Sequence, residues 1–249
     1  MLLMAKVRKR HVQQTFEFKT WGGKRDGAGR PPKGPRSSER HKKRARFKPT
    51  EPLHVVARVE RDVGRLRKRH MYKAIREATF CVAKHEDFFR IIHLSIQGTH
   101  LHLIVEAENS RALAKGMQAF EISAAKQINW AVSKRLRSRR RGRVFTDRYH
   151  LRILKSPMLA RRALAYVLNN WRHHEEDRAN ITKSWKVDPF SSGIFFNGWK
   201  EREDRPFWAL PPPTYESLLV WFPRTWMLKE GWRKHGLISL YEVPGPLMN

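Results

Sequence analysis

The sequence predicts an α+β protein with a ferredoxin-like fold, a split βαβ arrangement around one central antiparallel sheet with a further helix appended. Between about residues 51 and 154, hydrophobic periodicity alternates in the order strand, helix, strand, strand, helix, strand. The two middle strands are separated only by Gln97 to Thr99, which is typical of a hairpin. Ser156 and Pro157 then form the start of another helix.

Each element has its own local signal. Strand patterns have alternating or continuous apolar residues, whereas helix patterns repeat every three to four residues. Ser110 is a helix-capping residue at the start of the longest helical pattern. The predicted elements are, in order, a strand over 54–59, a basic helix over 63–78, strands over 88–96 and 100–106, a helix over 110–132, a basic loop over 134–143, a strand over 144–154 and a helix from 156.

Charge is the strongest compositional signal in these 249 residues. The chain has 52 Lys and Arg against 23 Asp and Glu, for a formal net charge of +29, and its pI is near 11.1. Such an excess indicates a polyanionic partner, and nucleic acid is the first candidate. A hydrophobic content of 40% is sufficient for a folded core.

The sequence disfavours a membrane protein and a protein stabilised by disulfide bonds. No apolar stretch approaches the roughly 18 residues that a membrane span needs, and residues 1–4 are too short for a signal-peptide core. We therefore expect a cytoplasmic, nucleoid-associated protein without a membrane partner. Because Cys81 is the single cysteine, a metal site would have to use histidine, amide or carboxylate ligands.

The composition divides the chain into residues 1–50, 51–185 and 186–249. Residues 1–50 hold 16 Lys or Arg against three acids, with glycines and prolines that predict a flexible basic DNA-binding arm. Within it, residues 29–34 resemble the core of an AT-hook, in which Arg30 and Lys33 would contact DNA in a narrow minor groove. A linker that binds phosphates without sequence preference is the alternative.

Two further segments are candidates for DNA contact. For the basic loop over 134–143, the simplest interpretation is a surface that contacts phosphates. Its candidate DNA-binding residues are Arg135, Arg137, Arg139, Arg140, Arg141 and Arg143. The extension over 186–249 is rich in Trp, Phe and Pro, and we expect most of its aromatic rings to cover a core, with stacking on unpaired bases as the alternative. Residues 224–236 predict a short amphipathic helix closed by glycine.

Two histidines stand one residue apart at the start of an apolar strand pattern. Because side chains alternate along a strand, His100 and His102 point to the same face and together can bind a metal ion. The plain alternative is a histidine pair on a solvated strand face. Glu106, on the same strand face, is either an acceptor that fixes a histidine tautomer or a rim charge, and His93 on the partner strand is expected to pack.

The helix after Pro157 carries the second group of candidate residues. Tyr166 and Asn170 are four residues apart and therefore neighbours on one helical face. Tyr166 can act as a nucleophile on a phosphodiester, with the carbonyl oxygen of Asn170 on the metal held by the histidines. Alternatively, Tyr166 is a core aromatic and Asn170 a surface amide. His173 on the same helix is a weaker candidate.

Together, the histidine pair and the tyrosine helix resemble the single-tyrosine HUH transposases, and more closely their branch of REP-associated tyrosine transposases. In that family an apolar residue separates two metal-binding histidines, matched here by Leu101 between His100 and His102, and a helical tyrosine is the nucleophile, matched by Tyr166. Insertion-sequence relatives commonly have glutamine where this chain has Asn170. Segments 22–31, 196–199 and 242–245 extend the resemblance over most of the chain.

The resemblance implies a metal-dependent enzyme that cuts and rejoins single-stranded DNA beside hairpins of repeated extragenic palindromes, through a 5′-phosphotyrosine intermediate. Mg²⁺ and Mn²⁺ are the expected ions, with zinc left open. It also implies a monomer on DNA, although insertion-sequence relatives act as dimers. The alternative is a non-catalytic nucleic-acid-binding protein with the same fold.

Overall fold

The computed structural model describes residues 44–83, 87–179, 182, 185–201 and 215–245. Its strands are β1 (Leu53–Arg58), β2 (Phe89–Ile96), β3 (His100–Ala107) and β4 (His150–Ile153). Its α-helices are α1 (Arg69–Ala83), α2 (Ser110–Leu136), α3 (Pro157–His173) and α4 (Trp226–Lys229). Residues 1–43 of the predicted basic arm, with Arg30 and Lys33, lie outside the described residues.

The four strands form one antiparallel sheet. Their spatial order is β2-β3-β1-β4, and each neighbouring pair is antiparallel. With the chain order β1-α1-β2-β3-α2-β4, this is the ferredoxin-like arrangement, to which α3 is appended. The predicted α+β class and antiparallel sheet are confirmed.

Alternation along the strands gives the sheet two buried faces. From β3, Leu101, Leu103 and Val105 enter a core with α1 and α2. Ile104 enters a second core on the opposite face, which α3 covers. The histidine pair of β3 has the same parity as Ile104 and therefore lies on the α3 side.

The C-terminal extension completes the second core. Its aromatic side chains Phe196, Trp199 and Trp232 are buried there together with Leu164 and Leu168 of α3. Packing, the expected role for most of these rings, is therefore what the structure shows for these three, while Phe222 and Trp226 remain exposed. No helix within the described ranges is long and apolar enough to cross a membrane.

The structure corrects the start of α1 and the length of β4. The helical pattern from residue 63 begins instead at Arg69, because Gly64 adopts φ +78 directly after a 3-10 turn. The strand predicted over 144–154 is reduced to β4. Phe145 pairs with Val59, and His150 pairs with Val56 of β1. Four residues lie between Phe145 and His150 but only two between Val56 and Val59, so the two extra residues bulge out of the strand pairing.

Three other predicted boundaries also differ. The cap of α2 is Asn109, whose side-chain oxygen accepts the N–H groups of Arg111 and Ala112, so the prediction of Ser110 as the capping residue is wrong by one position. Helix α2 continues to Leu136, into the predicted basic loop, and its C-terminal cap Arg137 adopts the left-handed conformation. The single helix predicted over 224–236 is two short pieces, α4 and a 3-10 helix from Gly231. The ring of Trp226 lies 2.7 Å from where a Cβ on Gly231 would be, so the chain turns at that glycine around the indole.

Candidate active site

Strands β1 and β3 place three histidines together on the face covered by α3. In the β1–β3 register, His102 is opposite Val56 and His54 is opposite Ile104, so His54 is the diagonal neighbour of His102. The two rings are nearly parallel, with centroids 5.3 Å apart and an interplanar angle of 17°. Nε2 of His54 lies 3.1 Å from Nδ1 of His102, within hydrogen-bond distance.

The pair predicted to bind metal has the spacing of neighbouring ligands. Nε2 of His100 and Nε2 of His102 are 2.9 Å apart. Two adjacent ligands of an octahedral ion with bonds of about 2.0–2.1 Å are separated by about 2.9 Å. The other ring nitrogen of His100, Nδ1, is 3.3 Å from Oγ1 of Thr99. Both imidazoles therefore direct Nε2 to one point and have a polar partner at Nδ1.

Burial keeps these histidines neutral. Loss of solvation, followed by the positive charge of Arg152, lowers the pKa of His54 to about 4. Burial and then Arg58 lower the pKa of His100 to about 4. Burial, followed by the charge of His54, holds the pKa of His102 well below its ordinary value. At neutral pH each ring therefore retains the lone pair that a metal ligand needs.

Helix α3 brings Tyr166 to the histidines. The helix begins at Pro157, and the Ser156 side chain caps it by accepting the N–H of Leu159. The Tyr166 ring lies edge-on to His102, with centroids 5.2 Å apart. Its environment is half-buried, and burial raises the pKa of its phenol. The half-buried ring of Tyr166 thus lies beside the histidine pair.

Asn170 lies one helical turn beyond Tyr166. It is fully buried, and within the described part of the chain neither atom of its side-chain amide has a hydrogen-bond partner. One turn further, His174 has its ring 6.4 Å from that of His100. Since residues four apart share a helical face, Asn170 lies between two groups that both face the histidine pair. A buried amide without partners requires an explanation, and a metal ion near His100 and His102 provides one.

These groups fit a divalent cation. Across the described ranges, no three His, Cys, Asp or Glu side chains cluster as a metal site. Asn170, whose buried amide lacks a partner within the described ranges, is the candidate third protein ligand for a site on the His100–His102 pair. Two imidazoles and one amide oxygen leave positions open for phosphate and water, and nitrogen ligands favour Mn²⁺ over Mg²⁺.

The remaining candidates near the pair have structural roles. His93 is buried, with Nδ1 3.1 Å from Oγ of Ser192, which confirms the packing expectation. Glu106 does not reach the histidines, so its interpretation as their hydrogen-bond acceptor is wrong. Its carboxylate instead accepts the backbone N–H groups of Arg224 and Thr225. His173 is exposed, and its ring lies against His174.

The basic loop contains two kinds of arginine. The guanidinium of Arg140 is largely buried and pairs with Asp62, so this residue fixes the loop to the domain. Arg143 pairs with Glu60 but stays largely exposed. The exposed residues without such an acidic partner within the described ranges are Arg135, Arg137, Arg139 and Arg141. These four arginines are therefore available to an external anion.

Two residues of the site were not predicted as site residues. His54 belongs to the first strand pattern, but its place beside His102 depends on the β1–β3 register, which one sequence does not provide. His174 follows the end of α3, and its position opposite His100 depends on the packing of that helix. Alternation in β1 was the available signal, because it places His54 on the opposite face of the strand from Leu53 and Val55.

Known proteins provide independent comparisons. The chain is similar to a solved structure of a REP-associated tyrosine transposase bound to a REP hairpin, with 16% identity, a TM-score of 0.46 and coverage of 62% of this chain and 82% of that chain. It is also similar to the crystal structure of a protein from Deinococcus radiodurans R1 described as a transposase, with 10% identity, a TM-score of 0.33 and coverage of 46% and 84%. No curated protein matches the sequence.

The family comparison covers the domain that holds the site. The sequence model described as transposase, IS200 like, matches residues 51–170, from the start of β1 through Asn170. This range includes all four strands, the histidine pair and Tyr166. Residues 51–170 are therefore similar in sequence to the IS200-like transposase family.

Proposed function

We propose that this protein is a metal-dependent transposase that nicks and rejoins single-stranded DNA through a 5′-phosphotyrosine intermediate. The observation that carries the proposal is the position of Tyr166, whose ring lies 5.2 Å from that of His102 within a pair whose Nε2 atoms are 2.9 Å apart. A tyrosine ring beside a histidine pair, brought together from separate elements of the fold, supports a nucleophile next to a metal site.

Each chemical step breaks one phosphorus–oxygen bond and forms another. The Tyr166 oxygen attacks the scissile phosphorus and loses its proton, an O–P bond forms, and the bond from phosphorus to the 3′ oxygen breaks. The departing strand takes up a proton and leaves with a free 3′-hydroxyl. Attack by a 3′-hydroxyl on the phosphotyrosine reverses the sequence and releases Tyr166, so that strands are joined without a nucleotide cofactor.

His100, His102 and Asn170 are the residues that would hold Mg²⁺ or Mn²⁺. A bound divalent ion supplies charge neutralisation at a non-bridging phosphate oxygen and lowers the barrier to nucleophilic attack. The protein keeps the two imidazoles neutral by burial, so they are available as ligands at neutral pH. Tyr166 needs help in losing its proton, because burial raises the pKa of its phenol.

The substrate we propose is single-stranded DNA beside a folded hairpin, of the REP type implied by the sequence resemblance. The net charge of +29 supports a polyanionic substrate. The exposed arginines of the basic loop, Arg135, Arg137, Arg139 and Arg141, support phosphate binding near the domain. Arg30 and Lys33 are proposed contacts of the basic arm, and we expect a monomer to bind the DNA.

Covalent capture of the DNA tests the proposed function. An end-labelled oligonucleotide with a hairpin and a single-stranded flank is incubated with protein and Mn²⁺ or Mg²⁺, and the protein–DNA adduct is separated under denaturing conditions. Wild-type protein should form the adduct, and Tyr166→Phe should form none while its DNA affinity is unchanged. Tyr241→Phe is the matched control, since Tyr241 is an exposed tyrosine on the C-terminal extension.

The outcomes separate the enzyme from a binding protein. An adduct that persists in Tyr166→Phe and disappears in Tyr241→Phe would show that the nucleophile is assigned wrongly. If wild-type protein binds the hairpin tightly but forms no adduct with either ion, the non-catalytic alternative replaces the proposal.

A further inference from the structure

We propose that His54 is a positioning residue, whose Nε2 accepts the Nδ1–H of His102 and so holds His102 in the tautomer and orientation that direct its Nε2 to the site. This inference rests on the proposed function, because it concerns a ligand of the proposed metal site. His54 itself has no direct part in the chemistry set out above.

The proton positions follow from the contacts. A neutral imidazole carries one N–H and one lone pair. If Nε2 of His102 is to present its lone pair, its proton must be on Nδ1. The contact found at Nδ1 is Nε2 of His54, at 3.1 Å. His54 must then accept this hydrogen bond and carry its own proton on Nδ1.

His100 has the matching arrangement with a different partner. Its Nε2 faces Nε2 of His102 at 2.9 Å, and its Nδ1 is 3.3 Å from Oγ1 of Thr99. Thr99 provides the acceptor for His100 that His54 provides for His102. In metalloproteins, such a partner at the second ring nitrogen orients a histidine ligand and raises its basicity.

Burial prevents water from replacing His54. Its relative exposure is 5% and that of His102 is 3%. The two ring planes are nearly parallel, at 17°, and the 3.1 Å contact between their nitrogens limits rotation of the ligand ring. The His54 ring also lies edge-on to that of Tyr166, with centroids 6.0 Å apart. One buried ring thus supports both the ligand and the nucleophile, and without its acceptor the Nδ1–H of His102 would be buried and unpaired.

The test uses three variants and metal binding without DNA. His54→Phe keeps a flat ring but removes the acceptor, whereas His54→Gln restores an acceptor oxygen. His93→Phe is the matched control, because His93 is also a buried histidine on this face of the sheet but contacts Ser192 rather than the pair. Thermal unfolding in EDTA verifies that each variant is folded.

Mn²⁺ affinity, measured by electron paramagnetic resonance, is the first readout. We expect His54→Phe to weaken binding by about 10–100-fold, as for other partners of histidine ligands. His54→Gln should recover part of this loss, and His93→Phe should bind like the wild type. A dissociation constant for His54→Phe equal to that of the wild type, or an equal loss in His93→Phe, would overturn the inference.

The second readout is the tautomer of His102 in metal-free protein, from ¹⁵N chemical shifts. We expect the proton on Nδ1 in the wild type; a proton on Nε2 would overturn the inference without any metal measurement. Failure of the proposed metal site is distinguishable, because His102→Ala would then bind Mn²⁺ as tightly as the wild type. Loss of binding in His102→Ala with unchanged binding in His54→Phe would reject the positioning role alone.

Discussion

Replacing Asn170 with leucine should stabilise the metal-free protein. Asn170 is buried away from water, and within the described residues neither Oδ1 nor Nδ2 of its amide has a hydrogen-bond partner. Each unsatisfied buried group costs about 1–3 kcal/mol. Two such groups cost about 2–6 kcal/mol, and the larger leucine offsets about 1–3 kcal/mol of that gain. The free energy of unfolding of Asn170→Leu should therefore rise by about 1–3 kcal/mol.

The adjacent residue is the control. Asn169 is equally buried, but its Nδ2 donates to the carbonyl oxygen of Ser239 at 2.8 Å. Asn169→Leu removes that bond and leaves the carbonyl without this donor, so it should destabilise the fold by about 1–3 kcal/mol. Two identical substitutions at neighbouring positions of α3 are thus expected to have opposite signs.

The assay is urea unfolding with EDTA or with excess Mn²⁺. A ligand at 100 times its dissociation constant stabilises the folded state by about 2.7 kcal/mol. Wild-type protein should gain stability from Mn²⁺, whereas Asn170→Leu should gain far less because it lacks the amide ligand. The reasoning is refuted if Asn170→Leu is less stable than the wild type in EDTA, or if Mn²⁺ stabilises both proteins equally.

Two further predictions concern stability alone. Burial lowers the pKa of His93 to about 3, and in the unfolded chain His93 takes up a proton near pH 6.5, so its contribution to stability is lost as the pH falls from 6.5 toward 3. By pH 5 the free energy of unfolding has fallen by about 2 kcal/mol for this reason. In urea unfolding at pH 7 and pH 5, His93→Gln should lack this fall in stability between the two pH values. His235→Gln, at an exposed histidine, should retain it. Glu106→Gln should cost about 3–5 kcal/mol, because the buried carboxylate accepts from Arg224 and Thr225. Cleavage of residues 215–245 by a protease should then become faster, and unchanged stability and cleavage would contradict the anchoring role of Glu106.

Much of the fold could be predicted because hydrophobic periodicity is a local signal. The hairpin from β2 to β3 and the capped start of α3 follow from Gly98 and from Ser156 with Pro157. The splitting of the strand predicted over 144–154 could not be predicted, since it depends on a register shift against β1.

The candidate site could be predicted in part for the same reason. His100 and His102 share a face by alternation, and Tyr166 and Asn170 by helical spacing, so each pair is set by local geometry. The place of His54 is set by pairing between strands that are far apart in sequence. A single sequence also did not distinguish a carboxylate that faces the pair from one that binds a later segment, which is why Glu106 was misassigned.

The C-terminal extension takes part in positioning Tyr166, the proposed nucleophile. The family match ends at Asn170, yet Ala165, Val167 and Leu168 of the same helix are buried in the core that the extension completes. Arg161 of α3 forms an ion pair with Glu242, and Asn169 donates to Ser239. These contacts hold one side of α3 while Tyr166 on the other side faces His102. Because a helix moves as a rigid element, loss of the extension should displace Tyr166 from the histidines without touching either. The extension is thus part of what makes the site, and its buried tryptophans serve that purpose before any contact with DNA.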